Sequence, residues 1–226
     1  MTNKAFRSPR GLVGGLVLLV ATCLVLPGLA GCGAPAYTYV ADSASSTYYK
    51  VPTGWHAISQ SSLDQILSSG GGSTSGVWAT AYDAGQSPSA QNILSFTVTR
   101  PFLFSEVIKL SPDQSNSLSY DGLRDFLLPV TSTAQEEWQA SGNTQLSGFE
   151  QLRDDTITAA SGVHGVRETF QYTFSGTSDT FDEVSLTNPD QTVVYFLMVH
   201  CTSTCYSQNE ANIDTVMRSF TVGNSS

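Results

Sequence analysis

Apolar and polar positions alternate most regularly in the last third of the chain. Val166, Phe170, Tyr172 and Phe174 interleave with Arg167, Thr169, Gln171 and Thr173, which predicts a strand with one buried and one wet face. Asp182 to Thr187 reads as a further strand, and Asn188-Pro189-Asp190-Gln191 supplies turn chemistry after it. Val193 to Val199 is apolar at every position, the pattern of a central strand covered on both faces. Ser207 and Glu210 form a capping-box pair, and Tyr206, Ile213, Met217 and Phe220 trace one helical stripe. Ser219 to Val222 closes the pattern as a short strand.

Upstream the periods are shorter. Ser62 with Gln65 caps a helix carrying Leu63, Ile66 and Leu67, which Gly70 stops, and Gly70 to Gly76 reads as a flexible loop. Val77 to Tyr82 and Ile93 to Arg100 read as strands, the second with Leu94, Phe96 and Val98 on one face. Tyr120, Leu123 and Leu127 recur at helical spacing up to Pro129, and Thr133 with Glu136 caps a helix carrying Trp138. Hairpin-length turns between strands point to a mostly antiparallel sheet. The predicted architecture is α+β, an α/β/α sandwich with the first and last helices flanking that sheet.

The N-terminus has a different character. Lys4, Arg7 and Arg10 precede an uncharged Leu- and Val-rich run from Gly11 to Gly28, the order of parts in a secretory signal peptide. The run is long enough to be read as a membrane span. Pro27 and Gly28 break it, however, and Leu29-Ala30-Gly31-Cys32 follows, which looks like a lipobox. The expectation is a lipoprotein signal peptide over 1–31, acylation of Cys32, a flexible tether of small polar residues over 32–47, and one domain over 48–226. The location implied is the extracytoplasmic face of a bacterial cell membrane, with the lipid anchor as the contact to that membrane.

This assignment sorts the cysteines. Cys23 falls in the apolar run and Cys32 takes the lipid, which leaves Cys201 and Cys205 in the folded part. An even pair in an oxidising compartment points to a disulfide. The alternatives are two buried thiols, or a metal site with His200 that lacks a fourth ligand. Removing residues 1–31 leaves 226 − 31 = 195 residues with 19 acidic and 10 − 3 = 7 basic side chains, a net charge of 7 − 19 = −12. Such a surface repels nucleic acid and anionic headgroups and suits a partner with a basic face, and it equally serves simple solubility.

The opening Val51-Pro52-Thr53-Gly54-Trp55, an antiparallel middle, and an ending of strand, helix and Ser219-Phe220-Thr221-Val222 together resemble the PsbP-like family, which is related to the Ran-binding Mog proteins. The resemblance spans most of residues 48–222. It implies an α/β/α sandwich and an accessory or binding role, and it carries over no binding residue. The Cys201/Cys205 pair departs from it, and nothing in the chain points to a photosynthetic or nuclear partner.

Catalytic patterns do not fit. His56, His164 and His200 stand in no metal-binding spacing. Gly72-Ser73-Thr74-Ser75-Gly76 has Thr74 where a nucleophile elbow needs serine, Thr47 precedes Lys50 where a Ser-x-x-Lys motif would need serine, and no P-loop is present. Glu136-Glu137 reads as a solvated helix face, and Asp154-Asp155 as neighbours on opposite faces of a strand. Asp179, Asp182 and Glu183 could hold calcium weakly but lack the spacing of an EF-hand loop. Trp55, Trp78 and Trp138 could form a ligand platform, although burial for area alone is the simpler reading.

The expected function is a non-catalytic, lipid-anchored extracytoplasmic module that binds an envelope protein or ligand, with no cofactor and no metal. The alternatives are a small envelope hydrolase with a site assembled from distant residues, and a solute-binding lipoprotein.

Overall fold

Val193–Thr202 is the strand around which the domain is organised: every residue from Val194 to Cys201 is buried, and strands pair with it on both sides. The computed structural model describes residues 35–69, 78–143 and 145–223. The expected signal peptide, Cys32 and the Gly70–Gly76 loop lie outside the described residues. Among the described residues no helix is long and apolar enough to cross a membrane.

In chain order the elements are β1 (Tyr37–Asp42), β2 (Thr47–Pro52), β3 (His56–Ala57), α1 (Gln60–Ser69), β4 (Trp78–Asp83), a 3-10 turn (Ala90–Leu94), β5 (Phe102–Lys109), α2 (Pro112–Ser117), α3 (Tyr120–Arg124), α4 (Ser132–Ala140), β6 (Leu146–Thr158), β7 (His164–Phe174), β8 (Thr177–Thr187), β9 (Val193–Thr202), α5 (Ser203–Ser219) and β10 (Thr221–Val222). Seven strands form the main sheet in the order β3-β4-β5-β9-β8-β7-β6, and every pair is antiparallel. A second sheet, β1-β2-β10, is also antiparallel.

The faces of the main sheet carry separate cores. On one face Leu103, Val107, Val184, Leu197 and Val199 pack with Ile213, Val216 and Met217 of α5 and with Val40, Tyr49 and Val51 of the small sheet. On the other, Phe102, Phe104, Phe170, Phe181, Phe196 and Met198 pack with Leu63 of α1 and with Ile93, Val98 and Val130 from the connecting segments. This is the expected α+β sandwich, with the first and last helices on opposite faces. Phe170 and Phe181 stack across β7 and β8 with centroids 5.4 Å apart.

Several expectations are corrected. The stretch read as a tether contains β1, whose six residues all pair with β2, so the ordered domain begins before Tyr48. No strand spans Ile93–Arg100: that segment begins in the 3-10 turn and runs on without ladder pairing, and Phe96 there stacks on Phe174 at 5.0 Å. The strand is the next segment, β5, whose sequence pattern predicts no element. The polar face of β7 is covered, and Arg167 and Thr169 are buried beneath α5. Helix starts are displaced as well. Ser59, not Ser62, accepts from the Ser62 amide at the head of α1. Thr131 caps α4 through the Ala134 amide, and Thr202 caps α5 through the Cys205 amide.

Two glycines are required by geometry. A Cβ on Gly165 would lie 2.0 Å from the Ser185 carbonyl oxygen, so β7 and β8 can approach only without a side chain there. Gly148 has φ +60° beside a break in the β6–β7 register between Ser147 and Glu150, the backbone of a bulge.

Candidate binding cleft

The sheet faces bring ionisable groups together that are distant in sequence, and most of them are sealed. His200 and Asp179 face each other across β9 and β8, with Nδ1 and Oδ2 2.9 Å apart, and both side chains are at most 1 % exposed. The other ring nitrogen, Nε2, lies 2.9 Å from the Asn92 carbonyl oxygen. A carbonyl only accepts, so Nε2 carries its hydrogen and donates it there. Burial raises the Asp179 carboxyl above its ordinary range, and the His200 bond works against that rise. The ring lies flat on Phe181, with centroids 5.1 Å apart. As placed, this pair ties the 3-10 turn to the sheet and has no nitrogen free to take a substrate proton. Asp83 anchors the same connection, accepting from the Gly85 and Ser89 amides and from Asn92 Nδ2.

Glu168 on β7 and Glu183 on β8 are cross-strand partners on that face, both buried. Burial pushes the Glu168 carboxyl up to about 7, and Asp154 adds to the rise while Arg124 opposes it. Glu183 is pushed well above its usual value by burial, and neither of its oxygens has a hydrogen-bond partner. Arg124 of α3 bonds Asp154 on β6 at 3.0 Å and so docks α3 on the strands. On the opposite face Arg167 is bidentate to Asp182, at 3.0 and 2.9 Å, and also reaches Asp214 of α5 at 3.1 Å. Tyr206 donates to the same Asp182 carboxylate.

The grouping of Asp179, Asp182 and Glu183 as a calcium site is therefore corrected. Alternation along β8 sends Asp182 to the α5 side and the other two to the opposite face. Among the described residues no group of three His, Cys, Asp or Glu side chains is placed to hold a metal ion. Asp154 and Asp155 are adjacent on β6, as expected, and only Asp154 meets Arg124. His56 is exposed on β3, and His164 is half-buried against Tyr120. Cys201 at the end of β9 is joined to Cys205 in the first turn of α5, with Cα atoms 5.9 Å apart.

The tryptophans form no common platform. Trp55 and Trp78 pack on the α5-side core, whereas Trp138 stands apart on α4. There it lines a cleft of about 260 Å³ with Pro129, Gln135, Gln139, Phe149 and Tyr172 among its walls. Each wall is held by its own bonds. Asp125 accepts from the Val130 and Thr131 amides and from the Thr131 hydroxyl, which fixes the start of α4. Gln135 Nε2 donates to the Val130 carbonyl at 2.6 Å. The Tyr172 hydroxyl donates to the Pro129 carbonyl, and burial pushes that phenol up to about 12. Phe149, on the bulged part of β6, leans on Tyr172 with centroids 5.2 Å apart.

Among the described residues the lining of the cleft carries no Lys, Arg, His, Asp or Glu. Trp138 Nε1 is shielded from solvent and has no hydrogen-bond partner among the described residues. Exposed Glu136, Glu137 and Glu150 lie on the elements that flank it. A larger groove, about 470 Å³, runs between α1 and Pro88–Gln91, lined mainly by serines, glutamines and small aliphatic side chains. In the sequence Trp138 stands out as a candidate platform residue and Tyr172 only as an inward strand position, while Phe149 and Gln135 carry no signal, because their convergence depends on how α4 lies against the β6 bulge.

No protein-family model and no curated protein matches this chain. Solved structures do. The solution structure of cyanobacterial PsbP (CyanoP) from Synechocystis sp. PCC 6803 aligns with a TM-score of 0.51 at 13 % identity, over 85 % of this chain and 96 % of that one. The Ran-binding protein Mog1p of Saccharomyces cerevisiae aligns with a TM-score of 0.43 at 8 % identity, over 82 % and 95 % of the two chains. LpqN, involved in cell envelope biogenesis of Mycobacterium tuberculosis, gives 0.37 at 12 % identity over 83 % and 91 %. The domain thus has a PsbP-like fold, as its opening and closing segments implied.

Proposed function

We propose that the mature chain is a lipid-anchored, extracytoplasmic binding or accessory module that engages an envelope protein through the Trp138 cleft. The observation that carries this reading is the cleft itself: an open, uncharged recess walled by the half-buried Trp138 indole with Phe149 and Tyr172. Its volume of about 260 Å³ lies below the roughly 300–1,000 Å³ usual for small-molecule pockets. It is the size for one anchor side chain of a partner, and tryptophan is among the residues that dominate binding energy at interface centres. The flanking Glu136, Glu137 and Glu150 and the expected mature charge of −12 favour a partner whose surface around that anchor is basic. The buried His200–Asp179 pair, by contrast, spends its hydrogen bonds within the fold. The PsbP-like fold supports an accessory role.

Affinity capture from crosslinked membranes tests this, with wild-type protein and Trp138→Ala as parallel baits of equal urea stability. Wild type should retain a specific protein partner, and the truncation should weaken the purified pair by at least about 30-fold, the 2 kcal/mol expected of an interface anchor. A purified domain that turns over an ester, peptide or glycan, and loses that turnover on a single side-chain change, would overturn the reading in favour of a hydrolase.

A further inference from the structure

The second exposed feature is the outer face of the small sheet. Along β1 and β2 the inward positions Val40, Thr47, Tyr49 and Val51 are buried, which turns Tyr37, Tyr39, Tyr48 and Lys50 outward. The register sets them side by side: Tyr39 opposite Lys50, and Ala41 opposite Tyr48. Tyr39 is 80 % exposed and Tyr48 44 %, among the most exposed large apolar side chains described, and the Lys50 ammonium lies 4.7 Å from the Tyr37 ring centroid. No acidic residue occupies an outward position of this patch, although acids outnumber bases 19 to 10 in the chain as a whole.

Two properties select the occupant. Tyrosine and lysine together match a bilayer interface, where phenols sit at headgroup depth and an ammonium meets phosphate. Tyr37 also follows Cys32 by five residues, so the patch lies within about 17 Å of chain from a lipid on that cysteine. The geometry points to this face, Tyr37, Tyr39, Tyr48 and Lys50, as the surface that rests on the membrane. The inference builds on the proposed lipidation of Cys32. It also fixes an orientation: the small sheet covers one face of the main sheet, and the Trp138 cleft lies on the other face with Tyr172, directed away from the bilayer.

An environment-sensitive fluorophore on Ala41→Cys, or on Thr133→Cys of α4 as the control, reads this in the mature protein reconstituted in phosphatidylethanolamine–phosphatidylglycerol vesicles containing brominated lipid. Emission from position 41 should shift to the blue and be quenched, while position 133 stays aqueous. The triple variant Tyr37→Ser, Tyr39→Ser, Tyr48→Ser should lose the quenching at 41 with its circular dichroism unchanged. A parallel protein with Cys32→Ser and an N-terminal hexahistidine held on nickel-chelating lipid gives the same readout without acylation. An aqueous label at 41 in this nickel-anchored protein would overturn the inference. An unacylated Cys32 in the mass of the mature N-terminal peptide would overturn the lipidation alone, leaving the nickel-anchored protein to decide the face.

Discussion

Replacing Glu168 by glutamine should stabilise the domain above neutral pH and leave it nearly unchanged near pH 4. The Glu168 side chain is 2 % exposed and faces Glu183 directly across the β7–β8 pair. Burial, reinforced by Asp154, lifts its carboxyl from 4.5 to about 7, against the pull of Arg124. A carboxyl raised by folding keeps its proton longer in the native than in the unfolded chain. Its favourable contribution is therefore fully present below about 4.5 and is lost as pH rises through about 7. At about 1.4 kcal/mol per pH unit, a rise of this size amounts to about 3 kcal/mol of stability lost across the window. Glutamine cannot ionise, and it keeps an oxygen for the bond from Gln151 Nε2, now 3.0 Å from Glu168 Oε1. Urea unfolding of both proteins from about pH 4 to about pH 8, extrapolated linearly, measures the difference directly. The variant should gain on wild type steadily through the window and lead by about 3 kcal/mol above it. A difference that stays flat with pH, or a variant less stable than wild type at high pH, would refute the assignment of a strained carboxyl at this site.

Arg167→Ala leaves Asp182 buried on the α5 side with only Tyr206 as a donor partner, and should cost about 3–5 kcal/mol in urea unfolding, whereas Arg218→Ala on the exposed end of α5 should cost under about 1 kcal/mol. Glu183→Met, next to Met198 in the sheet register, removes two unpartnered oxygens and should raise the unfolding midpoint at neutral pH; a lowered midpoint would argue against a neutral, unsatisfied carboxyl there. Protein purified from the envelope should give Cys201 and Cys205 in one unreduced peptide two mass units light, and reduction of so short a loop should cost about 2 kcal/mol. Two freely alkylated thiols would contradict the pairing.

What the sequence made legible follows from how much of each pattern local geometry imposes. β9 could be read because a run of seven apolar residues has no place except between two covered faces. The Ile93–Arg100 segment mimics a strand because Phe96 is half-buried against Phe174 and Phe181 and Val98 is buried in the core, although one backbone bond, from the Thr202 amide to the Val98 carbonyl, takes the place of a ladder. β5 was missed because Ser105 and Glu106 interrupt its apolar run, and Ser105 is buried only because its hydroxyl reaches the Phe196 carbonyl on β9. The polar side of β7 read as wet because alternation cannot tell solvent from a helix that brings Asp214 to Arg167. Capping was displaced because Ser59, Ser61 and Ser62, or Thr131, Ser132 and Thr133, offer equivalent oxygens in succession, and tertiary contacts choose among them. The cleft was illegible for the same reason: Trp138 and Tyr172 are 34 residues apart, and a bulge at Gly148 brings Phe149 between them.

Site-specific photocrosslinking in intact membranes tests the central claim most directly. A photoreactive residue in place of Gln139, at the mouth of the Trp138 cleft, should give one discrete adduct with an envelope protein, and Trp138→Ala should abolish it. The same residue at Ser115, on exposed α2, should give none. Equal, diffuse labelling from both positions, or an adduct at 139 indifferent to Trp138→Ala, would contradict a module that works through this cleft.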